Sequence, residues 1–252
     1  MPTRLRLLRH ATLTVETGGQ VLLVDPMLSD PGAIPPIPNS PNDRRNPLVE
    51  LPPLDLDSVD AVLVTHLHRD HLDDAARERL PADVPLLCQP ADADELEADG
   101  FTDVRPVADD LSWAGGEVAR VPARHGTGDL AEEMGPVSGF VLSAPGEPTL
   151  YLAGDTVWYE AVEETLASFD PDATVVNTGE AQFVEGDPIT TTRAGVAAVA
   201  RHTDGAVVAV HMEAINHCLL TREELADYLR DEGVEGVTIP ADGEAVRVTG
   251  RR

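Results

Sequence analysis

Residues 61–72 read AVLVTHLHRDHL, and this stretch carries the strongest structural signal in the chain. Its apolar start, Ala61–Val64, is typical of a buried β-strand. The segment that follows contains four side chains able to bind a metal ion, His66, His68, Asp70 and His71. Buried imidazoles and carboxylates need hydrogen-bonding partners or a metal, so packing alone does not explain this density. Imidazole nitrogen and carboxylate oxygen suit zinc, and the stretch therefore predicts a metal site at a strand end.

Three further residues of the same types follow apolar runs later in the chain. His125 comes after the run 118–121, Asp155 after the run 149–152, and His211 directly after the run 206–210. Loops at strand ends are where functional residues sit on a rigid scaffold. Each residue alone is a common loop or core residue. Downstream of the histidine-rich segment, and in this order, they predict one shared site.

The remaining apolar pattern predicts strands first, then strands interleaved with helices. The predicted strands are Leu5–Leu8, Thr12–Val15, Val21–Val24, Ala61–Val64, Val118–Val121, Gly139–Leu142, Thr149–Leu152, Thr174–Val176, Val207–Val210 and one or two within 237–248. The predicted helices are Asp73–Leu80, Ala91–Ala98, Trp158–Phe169, Thr192–Arg201 and a helix from the capping box at Thr221 to Asp231. This mixture predicts sheets flanked by helices in a single domain over residues 1–252.

The segment from Pro31 to Pro53 has a composition of its own. It contains eight prolines in 23 residues, which excludes a regular helix or a central strand. A long segment without regular structure inside a domain is usually a functional loop or disordered. We interpret it as a stiffened loop over a pocket, with a plain surface excursion as the alternative.

The charge of the chain restricts its partners. Forty-five acidic residues face eighteen arginines, there is no lysine, and the formal net charge is −27. Such a surface argues against binding to nucleic acid or to an anionic membrane, so we expect a small-molecule substrate. An acidic, lysine-free composition is typical of halophilic proteins, although a GC-rich genome also favours arginine. A homo-oligomer is left open.

Compartment is inferred from what the sequence lacks. No apolar stretch is long enough to span a bilayer, and the first residues lack the apolar centre of an export signal. The two cysteines, Cys88 and Cys218, lie far apart in sequence and give no disulfide framework. These features predict a cytoplasmic protein.

Taken in their order along the sequence, the candidate residues resemble the pattern of the metallo-β-lactamase superfamily. That pattern is His-x-His-x-Asp-His followed by a separate His, an Asp and a final His. The resemblance implies a four-layer αββα sandwich with a dinuclear metal site at the edges of its two sheets. It also implies the ligands: His66, His68 and His125 for the first ion, Asp70, His71 and His211 for the second, and Asp155 bridging both.

The opening segment is similar to one branch of this superfamily. Residues 9–12 (RHAT) and 24–28 (VDPML) resemble the branch that includes ascorbate-phosphate lactonase and related metal-dependent hydrolases. Asp25 is then expected to accept a hydrogen bond from a ligand histidine and fix its tautomer. His10 is expected either beside the site or simply packed in the core.

A polar cluster follows His211. Glu213, Asn216 and His217 are candidates for the pocket wall, with His217 as a proton donor or anion ligand; the alternative is helix capping and core hydrogen bonding. Arginines 44, 45 and 193 are candidate contacts to a substrate anion, but a plain surface role is the preferred interpretation.

The resemblance and the residues together predict an enzyme. Neither cysteine falls at a ligand position and no export signal is present, which argues against antibiotic hydrolysis. His68 stands where the oxygen-reducing diiron branch has Glu, which favours hydrolysis. We therefore predict a dinuclear zinc hydrolase, with manganese as the alternative metal, acting on an ester, lactone or phosphoester of a small metabolite. Asp70 is predicted to orient the attacking water and relay its proton.

Two alternatives remain at this point. One is a phosphodiesterase that acts on a phospholipid or nucleotide, and the other is a non-catalytic metal-binding protein of the same fold.

Overall fold

Two seven-stranded β-sheets form the centre of the molecule in the computed structural model, which describes residues 3–251. The strands are β1 (Thr3–Arg9), β2 (Thr12–Thr17), β3 (Gln20–Val24), β4 (Ala61–Val64), β5 (Leu86–Cys88), β6 (Val104–Pro106), β7 (Asp110–Trp113), β8 (Gly116–Pro122), β9 (Ser138–Ser143), β10 (Leu150–Leu152), β11 (Ala173–Asn177), β12 (Ala206–Val210), β13 (Val237–Thr238) and β14 (Ala245–Val248). The first sheet has the order β14-β1-β2-β3-β4-β5-β6, and the second has the order β13-β12-β11-β10-β9-β8-β7.

Six α-helices accompany these strands among residues 3–251. They are α1 (Asp74–Arg79), α2 (Ala93–Ala98), α3 (Asp129–Glu133), α4 (Glu160–Phe169), α5 (Arg193–Arg201) and α6 (Arg222–Asp231). Side chains cap several of them as the sequence predicts: Asp73 accepts from the N–H of Ala76, and Thr221 forms the capping box with Glu224. None of the described helices has the length and apolarity needed to cross a membrane.

Three apolar clusters divide the molecule into four layers. In the first, alternate residues such as Leu22 and Leu63 face the other sheet and meet Phe140 and Val208. In the second, α4, α5 and α6 pack on the outer face of the second sheet, and in the third, α1 and α2 cover the outer face of the first. Burial of these faces is the main stabilising contribution to the fold. The predicted αββα sandwich is confirmed.

Strand direction brings the candidate residues to one edge of the sandwich. In the first sheet β3 and β4 are parallel, and β1 runs in the same direction because both it and β3 are antiparallel to β2. In the second sheet β10, β11 and β12 are parallel, and β8 shares their direction through the antiparallel β9. The carboxyl ends of these strands therefore lie at the same edge of their sheets.

The proline-rich segment is held by two buried side chains. The Arg9 guanidinium donates to the carbonyl oxygens of Met27, Ser29 and Val49, near the two ends of the segment. Asn216 holds its middle, and its side-chain oxygen accepts from the backbone N–H of Ile37 at 3.0 Å. The segment is therefore fixed against the body of the molecule despite its lack of regular structure.

Some elements differ from the sequence predictions. The strands β5, β6 and β7 and the short helix α3 were not predicted, and α2 is preceded by a 3-10 turn over Pro90–Asp92. β5 and β6 have three residues each, which is too short for an alternation pattern to be visible. β7 and β8 are joined through Ala114 and Gly115, both at positive φ, and alanine is not a residue that signals such a turn.

Candidate metal centre

The loop after β4 is held in place by Asp25, which follows the neighbouring strand β3. The backbone N–H of Thr65 donates to Asp25 Oδ1 at 2.8 Å, and the Thr65 hydroxyl donates to Asp25 Oδ2 at 2.8 Å. Asp25 itself lies at positive φ (44°), where the chain turns sharply out of the strand. The start of the histidine-rich loop is thereby fixed against the neighbouring strand end.

The second sheet supplies the other candidate residues from equally tight turns. Gly154 (φ 64°) precedes Asp155, and a Cβ built there would lie 2.8 Å from the carbonyl oxygen of Ser138, so only glycine fits. His211 leaves β12 at φ 71°. Its backbone N–H donates to the carbonyl oxygen of His10 at 2.9 Å, which joins the two sheets at this edge.

One group of donor atoms comes from His66, His68 and His125, whose ligand atoms lie within 4.8 Å of one another. His66 Nδ1 lies 3.0 Å from the Thr65 hydroxyl oxygen, and His68 Nε2 lies 3.1 Å from the carbonyl oxygen of Met134. With the protons on those nitrogens, His66 Nε2 and His68 Nδ1 present lone pairs to each other at 2.9 Å. Such a pair needs a proton or a cation between its nitrogens, as a metal site provides.

A second group lies beside the first. It consists of His71 and His211, with Asp70 and His10, and their ligand atoms also lie within 4.8 Å. The Nε2 atoms of His71 and His211 are buried and have no hydrogen-bond partner among residues 3–251. Two orphaned imidazole nitrogens that face carboxylates in a buried space are the donor set expected for a divalent cation.

Asp155 touches both groups. Its Oδ2 lies 3.3 Å from His125 Nε2 and 3.3 Å from His71 Nε2, and its Oδ1 lies 3.3 Å from His211 Nε2. The side chain of Asn177, at the end of β11, donates to Oδ1 at 2.7 Å. The carboxylate is therefore placed between the two groups and held there by an amide.

Outer hydrogen bonds set the tautomers of two of these histidines. His71 Nδ1 donates to Asp25 Oδ2 at 2.9 Å, as predicted for Asp25, and His125 Nδ1 donates to the carbonyl oxygen of Ile189 at 2.8 Å. A proton fixed on Nδ1 leaves Nε2 free as a ligand. Both histidines are therefore oriented before any metal binds.

Burial and local charge set the protonation states. Burial lowers the pKa of His66, His68 and His211 below the ordinary value, so these imidazoles are neutral at pH 7. Burial acts to raise the pKa of Asp155, but His211, His71 and His125 lower it well below its usual range. Neutral imidazoles beside an ionised carboxylate are the forms that bind metal ions. His71 differs, because burial acts to lower its pKa but Asp155 and Asp25 raise it well above the ordinary value, so a metal ion at its Nε2 would replace a proton.

His10 lies inside the centre. It follows β1 at φ 55°, is fully buried, and its Nε2 lies 3.0 Å from Asp70 Oδ2. Its ring also lies against that of His211, with the centroids 3.6 Å apart. Burial acts to raise the pKa of Asp70, but the hydrogen bond from His10 and the nearby histidines lower it well below its usual range. His10 thus holds the Asp70 carboxylate in place and keeps it ionised.

The residues after His211 have different roles. Glu213 accepts from the backbone N–H of Arg222 at 3.0 Å and pairs with the Arg222 guanidinium, so it anchors α6. Asn216 holds the proline-rich segment and makes contacts to its backbone. Both sets of contacts fit the alternative of capping and core hydrogen bonding. In this group His217 interacts electrostatically with Asp70 and Asp155 of the centre, and burial lowers its pKa to about 4, so its ring is neutral at pH 7.

Two of the three candidate arginines, Arg45 and Arg193, are engaged elsewhere. Arg193 forms a two-point pair with Glu180, with nitrogen–oxygen distances of 2.9 Å. The Arg45 guanidinium donates to carbonyl oxygens within its own loop, at Gly32 and Ala33. These contacts agree with the plain surface interpretation.

Sequence reasoning missed several contributors to the centre. Asn177 directly follows the apolar run 174–176, the same signal that identified His125, and it was not singled out. Thr65, which directly follows the predicted strand Ala61–Val64, was not singled out either, yet its hydroxyl contacts Asp25 and His66. The seven predicted ligand residues all meet in this one region, and their division between two ions stays a prediction.

Comparisons with known proteins agree with the geometry. The family model described as the β-lactamase superfamily domain matches residues 21–212. The UPF0173 protein YddR of Bacillus subtilis (strain 168) is 39% identical over 246 residues, which cover 94% of this chain and 97% of that protein.

Two crystal structures are also similar to this chain. An isothiocyanate hydrolase from Delia radicum gut bacteria is 35% identical, with a TM-score of 0.91, over 96% of this chain and 98% of that one. A possible metal-dependent hydrolase from Veillonella parvula is 32% identical, with a TM-score of 0.94, over 98% of this chain and 100% of that one. The chain therefore belongs to the β-lactamase superfamily and is a metal-dependent hydrolase.

Proposed function

We propose that this hydrolase holds two divalent ions, zinc with manganese as the alternative, and hydrolyses an ester, lactone or phosphoester bond of a small molecule. The observation that supports two ions best is the position of Asp155 between His125 of one donor group and His71 and His211 of the other. A carboxylate has two oxygens and several lone pairs, so it can contact two ions at once.

The seven side chains divide naturally between the ions. His66, His68 and His125 would hold the first ion, Asp70, His71 and His211 the second, and Asp155 both. Bound there, two ions would lower the pKa of a shared water toward neutrality and polarise the substrate oxygen.

Residues of the chain would then transfer the proton of the attacking water. The Asp70 carboxylate, oriented by His10 at 3.0 Å, is placed to accept a proton from the attacking water and to pass it to the leaving group. His217 is neutral at pH 7, and its buried Nδ1 has no hydrogen-bond partner in the part of the chain that the structure describes, which leaves that atom available to a substrate group. This favours a positioning role for His217 over a role as a charged proton donor.

An isothiocyanate is a second candidate substrate, favoured by the similarity to the isothiocyanate hydrolase. Water would add to the central carbon of R–N=C=S, the carbon–nitrogen bond would break, and the amine and carbonyl sulfide would leave. That carbon is electrophilic in the same sense as an ester carbonyl. The same Asp70 could therefore serve both reactions.

Metal content and a substrate panel test the proposal together. Zinc and manganese are measured by plasma mass spectrometry on protein purified without chelators. The panel contains p-nitrophenyl butyrate, a γ-lactone, bis(p-nitrophenyl) phosphate and benzyl isothiocyanate. We expect two equivalents of metal and turnover that a chelator abolishes. Hydrolysis of the phosphodiester alone would favour the phosphodiesterase alternative, and metal binding without any turnover would favour the non-catalytic one.

A matched pair of variants checks the assignment. His68→Ala removes one donor, and we expect a folded protein with less bound metal and little turnover. His202→Ala serves as the control, because His202 is exposed at the end of α5 and bonds its own helix. Full activity in the His68→Ala variant would contradict the proposal.

A further inference from the structure

A cleft of about 580 Å³ opens beside the metal centre. Three loops form it: the proline-rich segment, the segment around α3 and the segment 182–185. The residues that line it are Asn39, Leu130, Glu133, Met134, Phe183, Val184 and Glu185. A volume of this size is typical of a small-molecule site.

Two walls of the cleft are continuous with the metal centre. The carbonyl oxygen of Met134 accepts from His68 Nε2 at 3.1 Å. On the other side, the Phe183 ring stacks on the buried His217 ring, with the centroids 6.2 Å apart and the planes at 29°. The backbone N–H of Gln182 also donates to the carbonyl oxygen of His217 at 3.0 Å. A molecule in the cleft would therefore contact residues that bond the ligand candidate His68 on one side and stack on His217 on the other.

We propose that the substrate of the metal centre binds in this cleft, and that the cleft selects an uncharged molecule with an apolar group over an anion. The proposal rests on the proposed hydrolase function, since it assigns the binding surface of the same site. It narrows the candidate bonds to those of neutral substrates, namely esters, lactones and isothiocyanates, and disfavours phosphoesters.

The apolar side chains support the first half of this proposal. Four of the seven lining residues are apolar, Leu130, Met134, Phe183 and Val184, and Val184 leaves 66% of its surface exposed. Phe183 and Val184 stand together in the polar sequence Gln182–Asp187. Contact between an apolar surface of this kind and water is unfavourable, so the free energy falls when an apolar ligand covers the surface.

The charges support the second half. Glu133 and Glu185 are exposed at the rim, none of the seven lining residues is an arginine, and the chain has no lysine. Of the three candidate arginines, Arg45 is engaged by backbone carbonyls and Arg193 by Glu180. An anion entering the cleft would lose hydration and approach two carboxylates without gaining a cation from the wall.

The cleft is preformed. The backbone N–H of Val184 donates to the carbonyl oxygen of Asn39 at 2.6 Å, which ties the apolar wall to the proline-rich segment. That segment is in turn held by Asn216 and, through the carbonyl oxygen of Val49, by Arg9. A wall fixed in this way loses little conformational freedom when a ligand binds, which favours affinity.

The charge preference is tested with two esters of nearly equal size, p-nitrophenyl butyrate and the anionic mono-p-nitrophenyl succinate. We expect a higher kcat/KM for the neutral ester. The double substitution Glu133→Gln/Glu185→Gln should lower the ratio of kcat/KM for the neutral ester to kcat/KM for the anionic ester roughly fivefold at low ionic strength. Added salt should lower the same ratio in the native protein. A ratio that neither the substitutions nor salt changes would overturn the charge selection.

The apolar wall is tested without hydrolysis, by the fluorescence of the neutral probe prodan on metal-loaded protein. Phe183→Ala should weaken probe binding about tenfold, and Val184→Asn should weaken it as well. Phe169→Ala is the matched control, since Phe169 is a 39% exposed phenylalanine at the end of α4. Equal affinity in the Phe183 and Phe169 variants, both folded by circular dichroism, would overturn the cleft as the binding surface.

The two assays separate this proposal from the function on which it rests. If no ester or isothiocyanate is hydrolysed but Phe183→Ala still weakens prodan binding, the proposed function fails while the cleft stands as a site for apolar ligands. If esters are hydrolysed and neither cleft variant changes binding or kcat/KM, the function stands and the cleft proposal fails.

Discussion

Replacement of Asp25 by Asn tests whether the hydrogen bonds around the donor groups control metal binding. The buried Asp25 carboxylate accepts three hydrogen bonds, two from Thr65 and one from His71 Nδ1. An amide keeps one acceptor oxygen and presents an NH₂ group to the others. His71 then loses the acceptor that fixes its proton on Nδ1, and the tautomer with the proton on Nε2 blocks the nitrogen needed for a metal.

The size of the effect follows from these contacts. Outer hydrogen-bond partners of ligand histidines typically change metal affinity by about 10–100-fold, or about 1.4–2.8 kcal/mol. Loss of two buried bonds to a carboxylate should also lower the free energy of unfolding of the metal-free protein by about 2–4 kcal/mol. Because His71 belongs to the group assigned to the second ion, we expect the larger rise in the dissociation constant of that ion, and a smaller rise for the first ion through the contact between Thr65 and His66 Nδ1.

Zinc affinity is measured by competition with a chromophoric chelator, and stability by urea denaturation of the metal-free protein. Asp73→Asn is the matched control. Asp73 is a buried carboxylate that accepts from the N–H groups of Ser29 and Ala76 but bonds none of the ligand histidines. The Asp73→Asn substitution should lower the free energy of unfolding without weakening zinc binding. Unchanged zinc dissociation constants in Asp25→Asn, or an equal loss of affinity in both variants, would refute the reasoning.

Three further outcomes are expected. Gly154→Ala should lower the free energy of unfolding by about 2–3 kcal/mol, because a Cβ there would lie 2.8 Å from the carbonyl oxygen of Ser138 and the residue has a φ of 64°. Gly146 also has a positive φ but lies in open space, so the control Gly146→Ala should lower it by only about 1 kcal/mol. Equal losses of stability in urea would contradict this. Asn216→Ala should lower the free energy of unfolding by about 2–3 kcal/mol and speed proteolysis within residues 37–46, as followed by mass spectrometry; an unaltered cleavage rate would count against the anchoring role. Burial lowers the pKa of His217 from 6.5 to about 4, so the unfolded chain binds more protons and stability falls as the pH drops from 6.5 toward 4. His217→Gln should flatten this pH dependence of the free energy of unfolding by up to about 1.4 kcal/mol per pH unit in the metal-free protein. The measurement is urea denaturation at pH 7 and pH 5, and an equal loss of stability between the two pH values in the variant and the native chain would contradict the prediction.

The sequence was most informative where the chain is most constrained. The apolar run Ala61–Val64 and the loop after it predict both a strand and a cluster of donor atoms, and the structure has both. The caps Asp73 and Thr221 were visible for the same reason, since their side chains satisfy specific backbone N–H groups.

The sequence was least informative where distant loops meet. The cleft wall combines Asn39, Leu130 and Phe183 from three segments, and no local pattern relates them. The contact between His10 and Asp70 likewise depends on the parallel arrangement of strands that are not adjacent in sequence. Asn216 looked like a pocket residue because polar groups beside a ligand are costly to bury, yet its partners are backbone atoms and the Asn46 side chain of a loop about 170 residues earlier.

The way Arg9 and Asn216 hold the proline-rich segment has an evolutionary consequence. Arg9 bonds carbonyl oxygens, which every residue type possesses, and Asn216 bonds the backbone of Ile37 in the same manner. Side chains of the segment can therefore be exchanged while most of its anchors persist. Descendants of this protein could acquire new substrates by mutating the rim, leaving the catalytic chemistry and its supporting strands untouched. A mutagenesis library aimed at altered selectivity should accordingly vary residues near 38–45 and keep both anchors.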